Sequence, residues 1–378
     1  MKILLVGEYS RLHNSLKEGL LALGHEVTLI ATGDYFKDYP ADIKLTRKFD
    51  EGLGKKLKVG LHRLFNLDIT SRSLTRQFFR HSERLKGYDV VQLINESALG
   101  ATPNDEKKML EFLRQHNKKL FLLSCGTDYL SVTYALDGPM AYSILNGYKD
   151  KTVPAEDYRF ILKYTSSEYK DLHEAVFEAV DGVIASDMDY HLPLQKHPKY
   201  LGLLPNPVNT SLLEFVPLSL NGPIVIFMGI NRQNYHTKGI WYFEEALDII
   251  QQKFPNKVKV LLAENLPYTE YIEKYNTAHI LLDQVLSYDQ GYNALEAMAK
   301  GKVVFTGAGK DFREFYGLDE KVAINAVPDV AELANRLGHY IQNPHELKTI
   351  GENANRFVRR EHDYIKIAQR YIDTWQKA

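Results

Sequence analysis

Glu296 sits in the short, largely apolar run Tyr292-Asn293-Ala294-Leu295-Glu296-Ala297-Met298-Ala299, which opens after Gly291 and closes before Gly301 and the apolar stretch Lys302–Thr306. The pattern reads as a glycine turn, a short helix, a second glycine and a buried strand. A helix entered through glycine directs free backbone N–H groups and the positive end of its dipole at whatever precedes it. An acid about one turn further on can accept hydrogen bonds from sugar hydroxyls. Phosphate at the helix start and ribose one turn in is the layout of a nucleotide site. Glutamate near a helix start is also favoured by the dipole alone, but burying it among Leu295, Met298 and Ala299 is costly unless it is partnered.

This segment resembles the donor-binding segment of family 4 retaining glycosyltransferases, whose form is roughly E-G-x-G-x-x-x-L-E-A-M-A-x-G-x-P-V. Gly291, Leu295, Glu296, Ala297, Met298, Ala299, Gly301 and Val303 or Val304 fall in place. The resemblance implies a ribose contact at Glu296 and donor contacts at Gly291, Tyr292 and Asn293. It departs at the first glutamate, which in the family meets hydroxyls of the donor sugar: here Tyr288 stands in that position, followed by Asp289. Asp289, after a one-residue shift, and Asp283 are the acids able to substitute.

A second stretch, Gly229-Ile230-Asn231-Arg232-Gln233-Asn234-Tyr235-His236-Thr237-Lys238-Gly239, follows an apolar strand and precedes a helix. It resembles the family's G-R-L-x-x-x-K-G loop, with Lys238 and Gly239 in register and the arginine displaced to Arg232. Two fixed cations there stabilise the charge that develops on a diphosphate leaving group, each charge-assisted hydrogen bond contributing roughly 1.5–3 kcal/mol. Read alone, a lysine and an arginine in a loop are ordinary solvated charges.

Two further loops follow apolar strands. Gly7-Glu8-Tyr9-Ser10-Arg11-Leu12-His13-Asn14 lacks the G-x-G-x-x-G of dinucleotide-binding oxidoreductases, which counts against a nicotinamide dehydrogenase. In the resembled fold this loop approaches the donor phosphates or the acceptor, which makes Gly7 and His13 candidates, with Asn14 either in the cleft or capping the helix. Ser124-Cys125-Gly126-Thr127-Asp128 stands where the family often has a His-Asp pair, so Asp128 is a cleft candidate against a helix-capping role, and Cys125 reads as a core residue. Asp187-Met188-Asp189 matches a metal-binding D-x-D pattern but reads better as a capped helix start. The chain has no zinc-spaced His/Cys cluster, nucleophile elbow or P-loop.

The elements that must carry these loops alternate along all 378 residues. Strand-length apolar runs fall near 2–7, 26–31, 89–95, 119–125, 182–186 and 201–204, then near 223–229, 257–263, 279–283, 302–306 and 322–325. Helical patterns lie between them, at 15–23, 240–254, 292–300 and 330–342 among others. Continuous apolar strands alternating with helices imply parallel sheets covered on both faces. Two such series predict an α/β chain of two doubly wound domains. Pro205-Asn206-Pro207-Val208-Asn209 marks the boundary and resembles the family's interdomain I-P-N-P-V-D. The expectation is an N-terminal, acceptor-binding Rossmann-like domain over 1–207, a nucleotide-sugar-binding one over 208–361, and a terminal helix at about 362–378 packing back on the first. The resemblance makes this the GT-B fold, with the two domains facing a cleft.

Composition is that of a folded soluble protein, with 44% apolar and 25% charged residues and a net charge of −1, which gives no reason to expect nucleic-acid binding. One cysteine fits a reducing compartment. Residues 44–86 are different, with twelve Lys/Arg against four Asp/Glu for a local +8. Arg72, Arg76, Arg80 and Arg84 recur every fourth residue, opposite Leu74, Phe78 and Leu85. Such a piece either docks on an anionic membrane surface or is a solvated face of a packed helix.

The resemblance implies retaining transfer of a sugar from a nucleoside-diphosphate donor to a glycan or polyprenyl-linked acceptor, in cell-surface polysaccharide or glycoconjugate synthesis. It implies no metal or other cofactor and a cytoplasmic location, with peripheral attachment to the inner face of the membrane. A non-catalytic nucleotide-sugar-binding scaffold and a sugar-nucleotide 2-epimerase on the same fold are the alternatives.

Overall fold

A computed structural model of the chain describes residues 1–33, 39–65 and 67–378. The chain forms two compact units, one of Met1–Tyr134, Phe160–Pro207 and Tyr364–Ala378, the other of Ala135–Arg159 and Val208–Asp363. Each is a parallel α/β sheet unit of the doubly wound, Rossmann-like kind.

In the first unit, β1 (Lys2–Val6), β2 (Glu26–Ala31), β3 (Ile43–Lys44), β4 (Val90–Leu93), β5 (Lys119–Ser124), β6 (Gly182–Ala185) and β7 (Tyr200–Leu203) form one sheet in the order β3-β2-β1-β4-β5-β6-β7. All pairings are parallel, and β1 meets both β2 and β4. The order reverses between β1 and β4, and ligands of open α/β sheets bind outside the carboxyl ends of strands at such a point. The covering helices include α1 (Leu12–Ala22), α2 (Gly52–Phe65), α3 (Ile69–Arg80), α4 (Pro103–His116), α5 (Tyr129–Asp137) and α6 (Ser167–Ala179). The last helix of the chain, Tyr364–Lys377, packs on α1, where Gly19 has no room for a side chain because a Cβ would lie 2.2 Å from the Tyr364 carbonyl oxygen.

In the second unit, β8 (Ile224–Ile230), β9 (Val258–Glu264), β10 (Ile280–Leu282), β11 (Val303–Thr306) and β12 (Ile324–Asn325) form a parallel sheet in the order β12-β11-β10-β8-β9. Its reversal point lies between β8 and β10. Helices α7 (Ile240–Lys253), α8 (Tyr292–Ala299), α9 (Val330–Gln342) and α10 (His345–Glu361) cover it. Ile226, Met228, Phe243, Ile280, Phe305 and Leu337 are fully buried in one apolar cluster, each contributing roughly 1.5–3 kcal/mol by leaving water. The chain enters and leaves this unit side by side. Val208 N–H donates to the His362 carbonyl at 2.7 Å, and Thr210 Oγ1 to Asp363 Oδ2 at 2.7 Å.

Two expectations need correction. Residues 135–159 group with the second unit, not with the N-terminal residues that flank them. Their anchors are the Tyr142 ring stacked on Tyr288, with centroids 4.8 Å apart, and Asp157 facing His236. The arginine stripe is also interrupted: α3 ends at Arg80, and Arg84 lies in a separate helical turn, Ser82–Leu85. Leu74, Phe78 and Leu85 are fully buried beneath this segment.

Candidate active site

The strongest cluster of site residues lies in the second unit, at the switch between β8 and β10. Asp283, the first residue past β10, is almost wholly buried, with Lys238 Nζ donating to its Oδ1 at 2.9 Å and Thr306 Oγ1 donating to its Oδ2 at 3.1 Å. Lys238 ends a short helix, Tyr235–Lys238, after β8, and Gly239 follows in the left-handed conformation at φ 67°. A side chain at Gly239 would also press on Leu286 and Val285 at 3.1 and 3.2 Å. The Lys238 carbonyl accepts from Val285 N–H at 2.8 Å, so both the main chain and the ammonium of Lys238 are tied to the segment that follows β10.

Gly291 caps α8, and a Cβ built on it would lie 3.8 Å from Asp283 Oδ2. The half-exposed lysine, the buried acid and the start of α8 therefore meet at one place. An ammonium has three donors, and Asp283 takes one. The free N–H groups at a helix start suit an anion. Glu296 lies farther along α8 and is half-buried rather than enclosed. Asn293 is held by two tyrosines, Tyr271 donating to its Oδ1 at 3.2 Å and Tyr275 to its carbonyl at 3.0 Å. Tyr292, beside it, is half-buried.

The loop that replaces the family's first glutamate is tightly built. Tyr142 N–H donates to the Tyr288 hydroxyl at 3.4 Å, beneath the stacked rings. Asp289 is buried, its Oδ1 accepting from Gln290 N–H at 2.8 Å and its carbonyl from Gln284 Nε2 at 3.1 Å. Gln290 Nε2 donates to the Gly307 carbonyl at 2.5 Å. Only glycine fits at 307, because a Cβ would lie 2.3 Å from Asp289 N. Asp289 thus shapes the loop, while Asp283 is the acid beside the lysine.

Arg232 stands apart from this cluster. Its guanidinium makes a two-pronged pair with Glu264, both contacts at 2.7 Å, and lies over the Tyr235 ring. Gly229 belongs to β8, paired with Ala263 and facing Tyr271 3.1 Å from its built Cβ, rather than to a ligand loop.

In the first unit, the structure gives four sequence candidates internal roles. Gly7 has φ 88°, and a Cβ there would sit 2.4 Å from the Ala98 carbonyl oxygen, so the glycine serves a close approach of backbones. His13 is 0% exposed. Its Nδ1 lies 2.8 Å from the Gly7 carbonyl and its Nε2 3.3 Å from Gln92 Nε2, while Gln92 Oε1 accepts from Trp375 Nε1. Burial pulls its pKa down to about 4, so this is a neutral core imidazole. Asn14 neither caps α1 nor opens to solvent: its main-chain and side-chain N–H groups donate to Glu8 Oε2 at 2.8 and 2.6 Å. Asp128 caps α5, taking Ser131 N–H at 2.7 Å and Ser124 Oγ at 2.9 Å. Cys125 is half-exposed rather than core. Asp187 caps the helix Met188–Leu194 through Asp189 N–H at 3.0 Å.

Sequence reading passed over a further pair. Glu96, just past β4, is buried, and its Oε1 lies 2.6 Å from Nδ1 of His173 on α6. Burial pushes the Glu96 carboxyl up to about 7 against the opposing pull of His173, and the nearby Asp128 charge adds to the rise. Among the described residues there is no group of three or more His, Cys, Asp or Glu able to hold a metal ion, and no helix long and apolar enough to cross a membrane.

Residues 234–373 match the family described as Glycosyl transferase-like. No curated protein matches the chain. Among solved structures it is similar over its whole length to sucrose-phosphate synthase from Thermosynechococcus elongatus, with 16% identity, 99% of that chain covered and a TM-score of 0.61. It is likewise similar to Anabaena HepE in complex with UDP and glucose, with 14% identity, both chains fully covered and a TM-score of 0.58. UDP-GlcNAc 2-epimerase from Neisseria meningitidis, bound to UDP-GlcNAc, has 12% identity, full coverage of both chains and a TM-score of 0.51. At these identities the likeness is one of fold: the chain has the two Rossmann-like domains of the GT-B architecture, and a glycosyl transferase-like segment covers most of the second.

Proposed function

We propose that the protein is a glycosyltransferase that moves a sugar from a nucleoside-diphosphate donor to a glycan or lipid-linked acceptor. The meeting of Lys238, Asp283 and the start of α8 carries this reading. The two donors Lys238 has to spare and the helix N–H groups neutralise the diphosphate as it leaves, which is the main electrostatic demand of the reaction. Arg232 adds a second cation on exchanging Glu264 for phosphate. Glu296 accepts the ribose hydroxyls. With Tyr288 in place of the family's acid, Asp283 is the carboxylate nearest the donor sugar. No metal is needed, since the cations are supplied by side chains. The UDP-bound state of the Anabaena structure and the family match over 234–373 support the donor class.

Transfer runs with retention, by same-face attack in which the leaving phosphate oxygen takes the acceptor's proton. The acceptor binds the first unit. That unit attaches peripherally to an anionic membrane through α2, where Leu57, Leu64 and Phe65 are 53%, 76% and 70% exposed beside exposed Lys55, Lys56 and Arg63. This fits synthesis of a cell-surface glycan at the inner face of the cytoplasmic membrane.

The reading is tested by incubating the protein with UDP-, GDP- and ADP-sugars and an acceptor extract, then determining the anomeric configuration of the product by NMR. A product with the donor's configuration is expected. Inverted product would overturn retention. Interconversion of UDP-GlcNAc and its 2-epimer without acceptor would favour the isomerase that the Neisseria fold likeness raises.

A further inference from the structure

Glu96 is 3% exposed, and its Oε2 makes no hydrogen bond of good geometry although it is buried, the Tyr129 main-chain N–H being the nearby donor that pulls its pKa down. A buried carboxylate oxygen without a well-formed hydrogen bond costs free energy, which a donor brought by a ligand would recover. Its position is where parallel sheets bind ligands, past the end of β4, one of the two strands at the reversal between β1 and β4. The surroundings are built rather than accidental. Neighbouring Asn95 donates to the Cys125 carbonyl at 2.9 Å, tying the end of β4 to the end of β5. His173 fixes the other carboxylate oxygen, and its ring is set by Tyr129 and Phe177, with centroids 5.1 and 4.2 Å away.

We propose that Glu96, oriented by His173, is the hydroxyl-binding residue of an acceptor saccharide site at the carboxyl ends of β4 and β5 in the first unit. An acceptor hydroxyl donates to Glu96 Oε2, while His173 opposes protonation of the carboxylate and holds it in one rotamer. This assignment rests on the glycosyltransferase reading for its ligand class but uses none of the donor-site residues. The charged groups that face the pair are Asp128 from the start of α5, Glu174 beside His173 on α6, and His197 across Phe177. Burial and the Asp128 charge hold the Glu96 proton on to about pH 7, against the pull of His173. Binding of a hydroxyl donor should therefore strengthen as pH rises through that value.

The test measures nucleotide release from UDP-glucose, GDP-mannose and ADP-glucose with a panel of methyl glycosides as acceptor probes, in wild type, Glu96→Gln and His173→Asn. UDP-, GDP- and ADP-induced thermal shifts are recorded alongside. Expected is a rise of at least tenfold in the KM for the stimulating glycoside in both variants, with unchanged nucleotide shifts and loss of the pH dependence near 7 in Glu96→Gln. His173→Asn keeps the test open if Glu96→Gln does not fold. A wild-type glycoside KM in a folded variant, or nucleotide binding without stimulation by any glycoside, overturns the proposal. No nucleotide shift in wild type is a separate result that strikes the glycosyltransferase reading itself.

Discussion

Past β10, Asp283 meets a lysine at 2.9 Å and a threonine at 3.1 Å; past β4, Glu96 meets an imidazole at 2.6 Å and leaves its other oxygen without a hydrogen bond of good geometry. Both are buried carboxylates outside the carboxyl ends of parallel strands. The second unit neutralises its acid internally and leaves part of a lysine open to an incoming anion. The first unit surrounds its acid with weaker partners and other titratable groups. The contrast teaches that one strand-end position can serve opposite ligands, an anion where a fixed cation stands by and a hydroxyl donor where an acceptor oxygen is left over.

Breaking the second unit's pair should have the largest effect. Lys238→Ala removes the cation from a buried carboxylate, with an expected cost of about 3–5 kcal/mol in stability and a loss of roughly 100-fold or more in turnover. Adding Asp283→Asn should recover much of the stability and none of the turnover, which separates the two roles by denaturant melts and rate assays on the single and double variants.

The first unit should reveal itself through pH. The folded pKa of His13 lies near 4, below the ordinary 6.5. The unfolded chain takes up that proton first, and His13's contribution is lost as pH falls from about 6.5 toward 4, an effect of about 3 kcal/mol. Glu96 and Glu106, both raised to about 7 by burial, have the opposite sign: the native state holds protons that the unfolded chain releases above about 4.5, so their contribution fades as pH rises to 7. The difference between wild type and His13→Gln in urea melts from pH 4 to 7 isolates the histidine. An unchanged pH slope in the variant would refute its role as a neutral core residue.

Gly7→Ala should cost about 1–3 kcal/mol, from positive φ and the Ala98 carbonyl at 2.4 Å, seen as a lower urea midpoint without loss of nucleotide binding. The smallest effect is expected at Arg232→Ala. Its pair with Glu264 is exposed and screened by solvent, so the melt should barely move while nucleotide affinity falls about tenfold. A large stability loss there would mean that the pair is structural.

The parts legible in the sequence were those whose signal is local. Strand-length apolar runs gave both sheets, and Lys238-Gly239 and Gly291–Met298 stood out because a left-handed glycine, a cation and a glycine-capped helix are each written in adjacent residues. What escaped depends on distant partners. His13 looked like a cleft residue at a helix start, but Gln92 of β4 meets its ring, and Trp375 of the last helix holds Gln92. Glu96 and His173 are 77 residues apart, and neither carries a motif. Residues 135–159 held no clue that Tyr142 would stack on Tyr288 and carry the segment into the second unit. β3 is two residues long, too short for an apolar pattern to mark.

On the proposed function, Lys238, held by Asp283 beside the start of α8, binds the diphosphate of an activated sugar. The most direct test of this is the melting temperature of wild type and Lys238→Ala titrated with UDP, GDP and ADP. One nucleotide should raise the wild-type midpoint with the logarithm of its concentration, and the variant should show no rise. No rise with any of the three, or the same rise in both proteins, would contradict it.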